Sequence, residues 1–375
     1  MTLSSEEGGQ QPLVVSFVEV LWSSARCRRE TMRLTPRRCA TAGVVCIAVV
    51  VLICVIHSST NTYYGDPRLL PYEDYFVPSL TEKIFLDYDF LINSHVCLHS
   101  KGPFLLVMVL SIPEMTSQRD AIRDTWGSVA RGGIWPGFKE RVDVRMVFLF
   151  GNNSVKYNQE LRKESLSKGD IVQTSFKEAY TNLTLKVLMG YRWVEKHCPN
   201  AKFVMKVDED VFVNVPYFIS QLYASDWSRH ILGPFAYSEF TIRDGKYGVD
   251  KSSYFPPIYP PHVKGNIYVM QKDVAVRLLH TAPYMHYMNM EDAFITGVLA
   301  KVHGLRHVDL PEAYYDRNIS ATFCEIANGI KVVSQQYTAK MMHGVWEKLK
   351  DSSSCSLIGR IISYFRHIFR NEYIL

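Results

Sequence analysis

Residues 204–214 read VMKVDEDVFVN, and three consecutive carboxylates, Asp208, Glu209 and Asp210, stand at the end of an apolar run. Strand ends are where open α/β sheets bind ligands. No basic residue lies inside the triplet, and like charges this close repel unless a cation sits among the oxygens. Hard cations such as Mg²⁺ and Mn²⁺ take carboxylate oxygen and share it with substrate phosphates. The triplet therefore suggests a metal-bridged diphosphate; an acidic, solvated turn is the plainer alternative. A second acidic pair, Glu291 and Asp292, opens a helical pattern, where capping and the helix dipole ordinarily account for carboxylates.

These residues need a scaffold. Continuous apolar runs at 104–112 and 201–207, with further strand patterns at 142–150, 170–174 and 266–271, read as strands buried on both faces. Between them, 117–126, 157–167, 180–196, 273–280 and 291–302 carry helical spacing, with Ser117 as a candidate cap. Such alternation predicts a mainly parallel, Rossmann-like α/β sheet with helices on both faces. Residues 254–261 (YFPPIYPP) read as an irregular loop facing substrate.

The whole chain sets the context. Its 375 residues are 47% hydrophobic and 21% charged, a globular balance. A net charge of +5 is too weak to argue for nucleic acid. Residues 40–56 carry no charge, follow Arg33, Arg37 and Arg38, and precede a stretch free of charge up to Asp66. That pattern predicts a short membrane anchor with the N-terminus cytoplasmic and the remainder luminal; a thin, Golgi-type bilayer suits its length. Met32 is an alternative start, and Cys39 is a candidate for acylation. The resulting division is a tail at 1–39, an anchor at 40–56, a proline-punctuated stem at 57–100, a catalytic domain at 101–350 and an extension at 351–375. In that extension, apolar residues from Leu357 to Phe369 fall at helical spacing beside Arg360, Arg366 and Arg370, the pattern of a basic amphipathic helix. Beyond the anchor, Cys97, Cys198, Cys324 and Cys355 permit three pairings, of which Cys97–Cys198 with Cys324–Cys355 is the expected one. Sequons begin at Asn152, Asn182 and Asn318.

Several segments then fall into order: 119–126 (RDAIRDTW), 148–151 (FLFG), 182–186 (NLTLK), 206–212 (KVDEDVF), 259–261 (YPP) with Gly265 and Tyr268, and Glu291-Asp292 with Gly297. From about residue 104 to 346 the chain resembles the β-1,3-galactosyltransferase family, which also holds β-1,3-N-acetylglucosaminyltransferases. The resemblance implies a GT-A fold and an inverting hexosyl transfer from UDP-galactose to a terminal sugar of a glycoprotein or glycolipid. It also implies Mn²⁺ on the diphosphate and a single-pass type II Golgi enzyme, and it leaves a homodimer open. Carried over by residue, Asp210 is a metal ligand, Asp208 lies near metal or ribose, Arg119 and Arg123 lie near the nucleotide, and Asp292 is the general base. UDP-GlcNAc as donor, or an inactive glycan-binding or chaperone-like relative, are the alternatives. Two positions depart from the family pattern. Glu209 replaces a usual aspartate. Gln335 stands where relatives carry a histidine, and His343 lies too near Trp346 to be its equivalent; an amide oxygen is a weaker match than imidazole for a transition metal.

Overall fold

The computed structural model describes residues 67–98, 102–139, 141, 143–311, 314, 315, 320–351 and 355. They belong to the second of two compact units, 62–375. The expected anchor, Cys39, Met32, Asn318 and the amphipathic tail all lie outside the described residues. No helix among the described residues is long and apolar enough to cross a membrane.

Twelve strands are present among the described residues: β1 (Phe90–Ile92), β2 (Leu105–Leu110), β3 (Val144–Asn152), β4 (Ile171–Lys177), β5 (Phe203–Asp208), β6 (Phe212–Val213), β7 (His230–Gly233), β8 (Phe235–Ala236), β9 (His262–Val263), β10 (Ile267–Gln271), β11 (Arg306–Asp309) and β12 (Val333–Ser334). Eight form one sheet in the order β1-β4-β3-β2-β5-β10-β7-β11. The run β4-β3-β2-β5 is parallel, as the apolar runs predict. The sheet is nevertheless mixed, because β10 runs antiparallel to both β5 and β7. An apolar run fixes burial on both faces but not strand direction.

Period-two alternation sorts β2 between two cores. Leu106, Met108 and Leu110 join one, with Val187, Leu188 and Tyr191 of helix α3 (Leu183–His197). Leu105, Val107 and Val109 join the other, with Ala121 and Ile122 of α1 (Thr116–Asp124). Of the remaining helices, α2 (Val155–Lys168) is capped by Ser154, which accepts from Tyr157 N, and Gly169 closes it in the left-handed conformation at φ 77°. α4 (Val215–Tyr223) and α7 (Ala339–Lys350) lie on the α1 side, α5 (Lys272–Thr281) on the α3 side, and α6 (Phe323–Ala327) begins in a capping box of Thr322 and Glu325.

Two expectations need correction, and one helix has an unexpected form. Residues 67–98 are not a tether: a 3₁₀ helix (Pro67–Phe76) buries Leu69, Tyr75 and Phe76 in the core, and β1 pairs with β4 at the sheet edge. The prolines mark turns within a packed segment. Ser117 does not cap α1, which starts one residue earlier without a side-chain cap. The helix after Glu291-Asp292 is π-helical over Ala293–Leu299, a form that recurs at functional sites.

Cysteine pairing in the structure is Cys97–Cys198 and Cys324–Cys355. Neither described sequon asparagine is fully exposed. Asn152 Oδ1 accepts from Asn158, and Asn182 Nδ2 donates to Lys177 O.

Candidate active site

Strand pairing gathers the site from distant segments. Asp208 ends β5, opposite Leu110 of β2, and its N–H donates to Asn266 O at 3.0 Å. β10 thereby sets Gly265 and Asn266 beside the acidic triplet. The β6–β12 ladder pairs Phe212 with Ser334, and Tyr337 N donates to Asp210 O at 2.8 Å, which brings the segment after β12, with Gln335, alongside Asp210. Gln336, next in line, holds φ at 59°, a strained value for a side-chain-bearing residue.

Asp292 faces the same place. Its Oδ1 accepts from Ala293 N at 2.8 Å and its Oδ2 from Gly265 N at 2.9 Å. A Cβ at residue 265 would stand 3.3 Å from Asp292 Cβ and 3.4 Å from Glu291 Oε2. Glycine thus lets the backbone close on both carboxylates. Asp208, Asp292, Gly265 and Gln335 all line one cleft of about 660 Å³, whose wall includes Tyr180, Phe240 and Tyr247. The structure places the Asp208 and Asp292 motifs in one cleft, and Asp292 also caps its helix.

Lys206 changes the reading of the triplet. It is buried, and its Nζ pairs with Asp208 Oδ1 at 2.7 Å and Glu291 Oε2 at 3.3 Å, and also donates to Gly265 O. Burial works against its charge, but Asp208 and Glu291 outweigh that and raise its pKa. The cluster therefore contains its own cation, two residues upstream. Strand alternation puts residues 206 and 208 on one face, so the signal lay in the sequence. Glu291 also accepts from Tyr268 Oη, and burial pushes its carboxyl up to about 7. Glu209 turns away to accept from Ile112 N at 3.2 Å, and burial raises it to about 7 as well.

The donor set fits a divalent ion in part. Burial and then the neighbouring Asp208 raise the Asp210 pKa, the mark of two carboxylates close enough to repel. A cation between them would relieve that repulsion. No group of three Asp, Glu, His or Cys side chains among the described residues could hold an ion unaided. Gln335 Oε1 already accepts from Asn266 Nδ2 at 2.6 Å. Two carboxylates with substrate phosphates and water are nonetheless the ordinary environment of Mg²⁺-like ions.

Arg119 and Arg123 do not reach the cleft. Arg119 is 1% exposed and spends all its donors internally: on Glu164 at 2.7 and 2.9 Å, on Ser111 and Thr116 hydroxyls, and on the carbonyls of Ile112 and Pro113. Arg123 binds Asp170 through two nitrogens at 2.8 and 2.9 Å, and also Glu164 and Asp120. Burial opposes charge on Glu164, but the two guanidiniums hold its carboxyl below the usual range. Their assignment to the nucleotide is corrected: they form a buried ion cluster between α1, α2 and the start of β4.

Behind the cleft, His307 of β11 donates from Nε2 to Thr296 O at 2.5 Å, and Thr296 Oγ1 donates to Asp292 O at 2.7 Å. Burial pushes the imidazole down to about 4 from 6.5. Between those values the unfolded chain binds more protons than the folded one. His307 therefore contributes stability that is complete above about pH 6.5 and lost as pH falls through about 4. Urea midpoints at pH 7 and pH 4.5 are expected to differ less in His307→Asn than in the native chain; an unchanged difference would assign the acid sensitivity elsewhere.

A family model described as Galactosyltransferase matches residues 117–311. Human beta-1,3-galactosyltransferase 5 is 36% identical over 209 residues, which cover 54% of this chain and 64% of that protein. Human UDP-GalNAc:beta-1,3-N-acetylgalactosaminyltransferase 1 is 29% identical over 282 residues, covering 72% of this chain and 81% of the relative. Among solved structures, a Pyrobaculum calidifontis mannosyltransferase in complex with GDP-Man and Mn²⁺ aligns over 76% of this chain and 84% of that one, with a TM-score of 0.34 and 10% identity. With the matched segment carrying both the Asp208 strand and the Asp292 helix, the chain belongs to the galactosyltransferase family.

Proposed function

We propose that the chain is an inverting β-1,3-galactosyltransferase of the GT-A type that moves galactose from UDP-galactose to a terminal sugar of a glycoprotein or glycolipid. The observation that carries this reading is Asp292, fixed by two backbone N–H groups inside the cleft that Asp208 also lines. Asp292 takes the proton of the acceptor hydroxyl as that oxygen attacks the anomeric carbon from the face opposite the leaving diphosphate. Asp208 and Asp210 are the residues that would hold Mn²⁺, which would supply charge neutralisation on the departing UDP. Lys206 fixes Asp208 and, through Gly265 O, the loop that holds Asp292.

Donor identity has a second reading. The N-acetylgalactosaminyltransferase among the relatives favours an N-acetylhexosamine donor, UDP-GalNAc, with UDP-GlcNAc a further option. An inactive relative is weakly favoured by Gln335, whose oxygen is already engaged by Asn266. In the cell, we place the enzyme in the Golgi membrane as a single-pass type II protein. The uncharged 40–56 segment behind Arg33, Arg37 and Arg38 supports that placement, and glycosylation at Asn152, Asn182 and Asn318 accompanies it.

The test is UDP release by residues 57–375 with Mn²⁺ and each of UDP-galactose, UDP-GalNAc and UDP-GlcNAc, against a panel of β-linked acceptors. Acceptor-dependent release with one donor, lost on adding EDTA, is expected. Release that persists in EDTA would remove the metal from the proposal, and no release alongside metal-independent UDP binding would favour the inactive relative.

A further inference from the structure

Besides Asp208, Glu291 and Asp292, the cleft lining holds the carboxylate of Glu239, which the proposed chemistry leaves unused. Glu239 lies in the cleft lining, and its Oε2 accepts from Lys264 Nζ at 2.5 Å, with His262 Nε2 nearby at 3.5 Å. His262 is 2% exposed, and its Nδ1 donates to Pro260 O at 2.9 Å, so the ring is fixed with Nε2 toward Glu239. Glu239 Oε1 has no partner among the described residues. Tyr259 Oη, buried in the lining of the same cleft, has none either. A buried hydroxyl left unpaired is costly and uncommon.

The backbone around Glu239 is built for position. Ser238 holds φ at 60°, left-handed for a residue with a side chain. Phe240 bridges Ile258, and Tyr259 N donates to Glu239 O at 2.8 Å. Lys264, the partner of Oε2, precedes Gly265, whose N–H holds Asp292. A half-exposed ion pair contributes little to stability, so stability alone does not explain the strained backbone that positions this carboxylate.

We propose that Glu239 is the acceptor-reading residue of the cleft, its Oε1 accepting a hydroxyl of the sugar that receives the transferred group. The inference rests on the glycosyl-transfer reading only for the identity of its ligand as a sugar. A sugar hydroxyl both donates and accepts, and so suits a carboxylate oxygen, Glu239 Oε1, and a phenol, Tyr259 Oη, that both lie in the cleft lining. Because Lys264 occupies the other oxygen, the carboxylate cannot rotate freely, and a single hydroxyl geometry is selected. Discrimination is strongest where a site's polar groups would be left unpaired by an analogue lacking the hydroxyl.

The test is equilibrium binding, by saturation-transfer NMR, of methyl β-galactoside, methyl β-N-acetylglucosaminide and their monodeoxy analogues to the full chain in detergent. For the tighter glycoside, loss of one particular hydroxyl is expected to weaken binding by about tenfold in the native chain, as for a hydrogen bond to a charged group. Glu239→Ala should bind the parent about as weakly as that deoxy analogue and no longer distinguish the two. Glu239→Gln, nearly isosteric and a check against misfolding, should retain only part of the discrimination. Native-like discrimination in both Glu239 variants, or no glycoside binding by the native chain, would overturn the assignment. Glu239-dependent binding in a chain that releases no UDP would support the assignment while removing the transferase reading.

Discussion

Asp292→Asn is expected to lower acceptor-dependent turnover by about 10²–10⁴-fold, the usual contribution of a positioned general base, while UDP-sugar affinity changes little. Asparagine keeps the shape and one acceptor oxygen but cannot take a proton. Its amide nitrogen must face one of the two N–H groups that now donate to the carboxylate, Ala293 N or Gly265 N. One backbone donor is therefore left poorly satisfied, at a cost of about 1–3 kcal/mol. For that reason, thermal stability and UDP affinity by calorimetry belong beside the kinetics. Turnover within about fivefold of native would take the base role from Asp292. Equal losses in turnover and UDP affinity would make Asp292 a structural support of the donor site. Glu291, its neighbour, is no substitute: it is 5% exposed and committed to Tyr268 and Lys206.

Much of this site was legible because its parts are local. The run from Phe203 to Asp208 announces a buried strand that ends in acid, and that strand is β5. The parallel strands around it are apolar on both faces and were found as such. What stayed hidden depends on which residue meets which across long separations. Lys206 reads as one polar residue in an apolar strand until β10, antiparallel to β5, delivers Gly265 and the Glu291 carboxylate is packed against it. Glu239 and Lys264 sit outside the regular strands and helices, so their pairing has no sequence signature. In the 67–98 segment, proline spacing outweighed the apolar Leu69, Tyr75 and Phe76, which only a tertiary partner distinguishes from residues of a tether. Arg119 and Arg123 show the same limit in charge. An i, i+4 arginine pair looks alike whether it meets a diphosphate or the carboxylates of Glu164 and Asp170.

That ambiguity makes Arg123→Met the second large effect: a loss of about 3–5 kcal/mol of stability, because breaking a buried pair leaves an uncompensated charge. The groups left behind decide the size. Glu164 retains Arg119 at 2.7 Å. Asp170, 6% exposed at its side chain, retains only Arg131 at 3.7 Å, and Arg131 is 44% exposed. Asp170 is thus the stranded charge. In a domain of this size each kcal/mol moves Tm by about 2–4 °C, so a scanning melt resolves the change easily. Adding Asp170→Asn to Arg123→Met should recover part of the loss, since the neutral amide is cheaper to bury than the unpaired carboxylate. UDP affinity, measured below the melting transition of both proteins, is expected to stay within about twofold of native because the guanidinium faces Asp170, Glu164 and Asp120 rather than the cleft. Near-native stability with UDP affinity lost tenfold would reverse the correction and return Arg123 to the nucleotide.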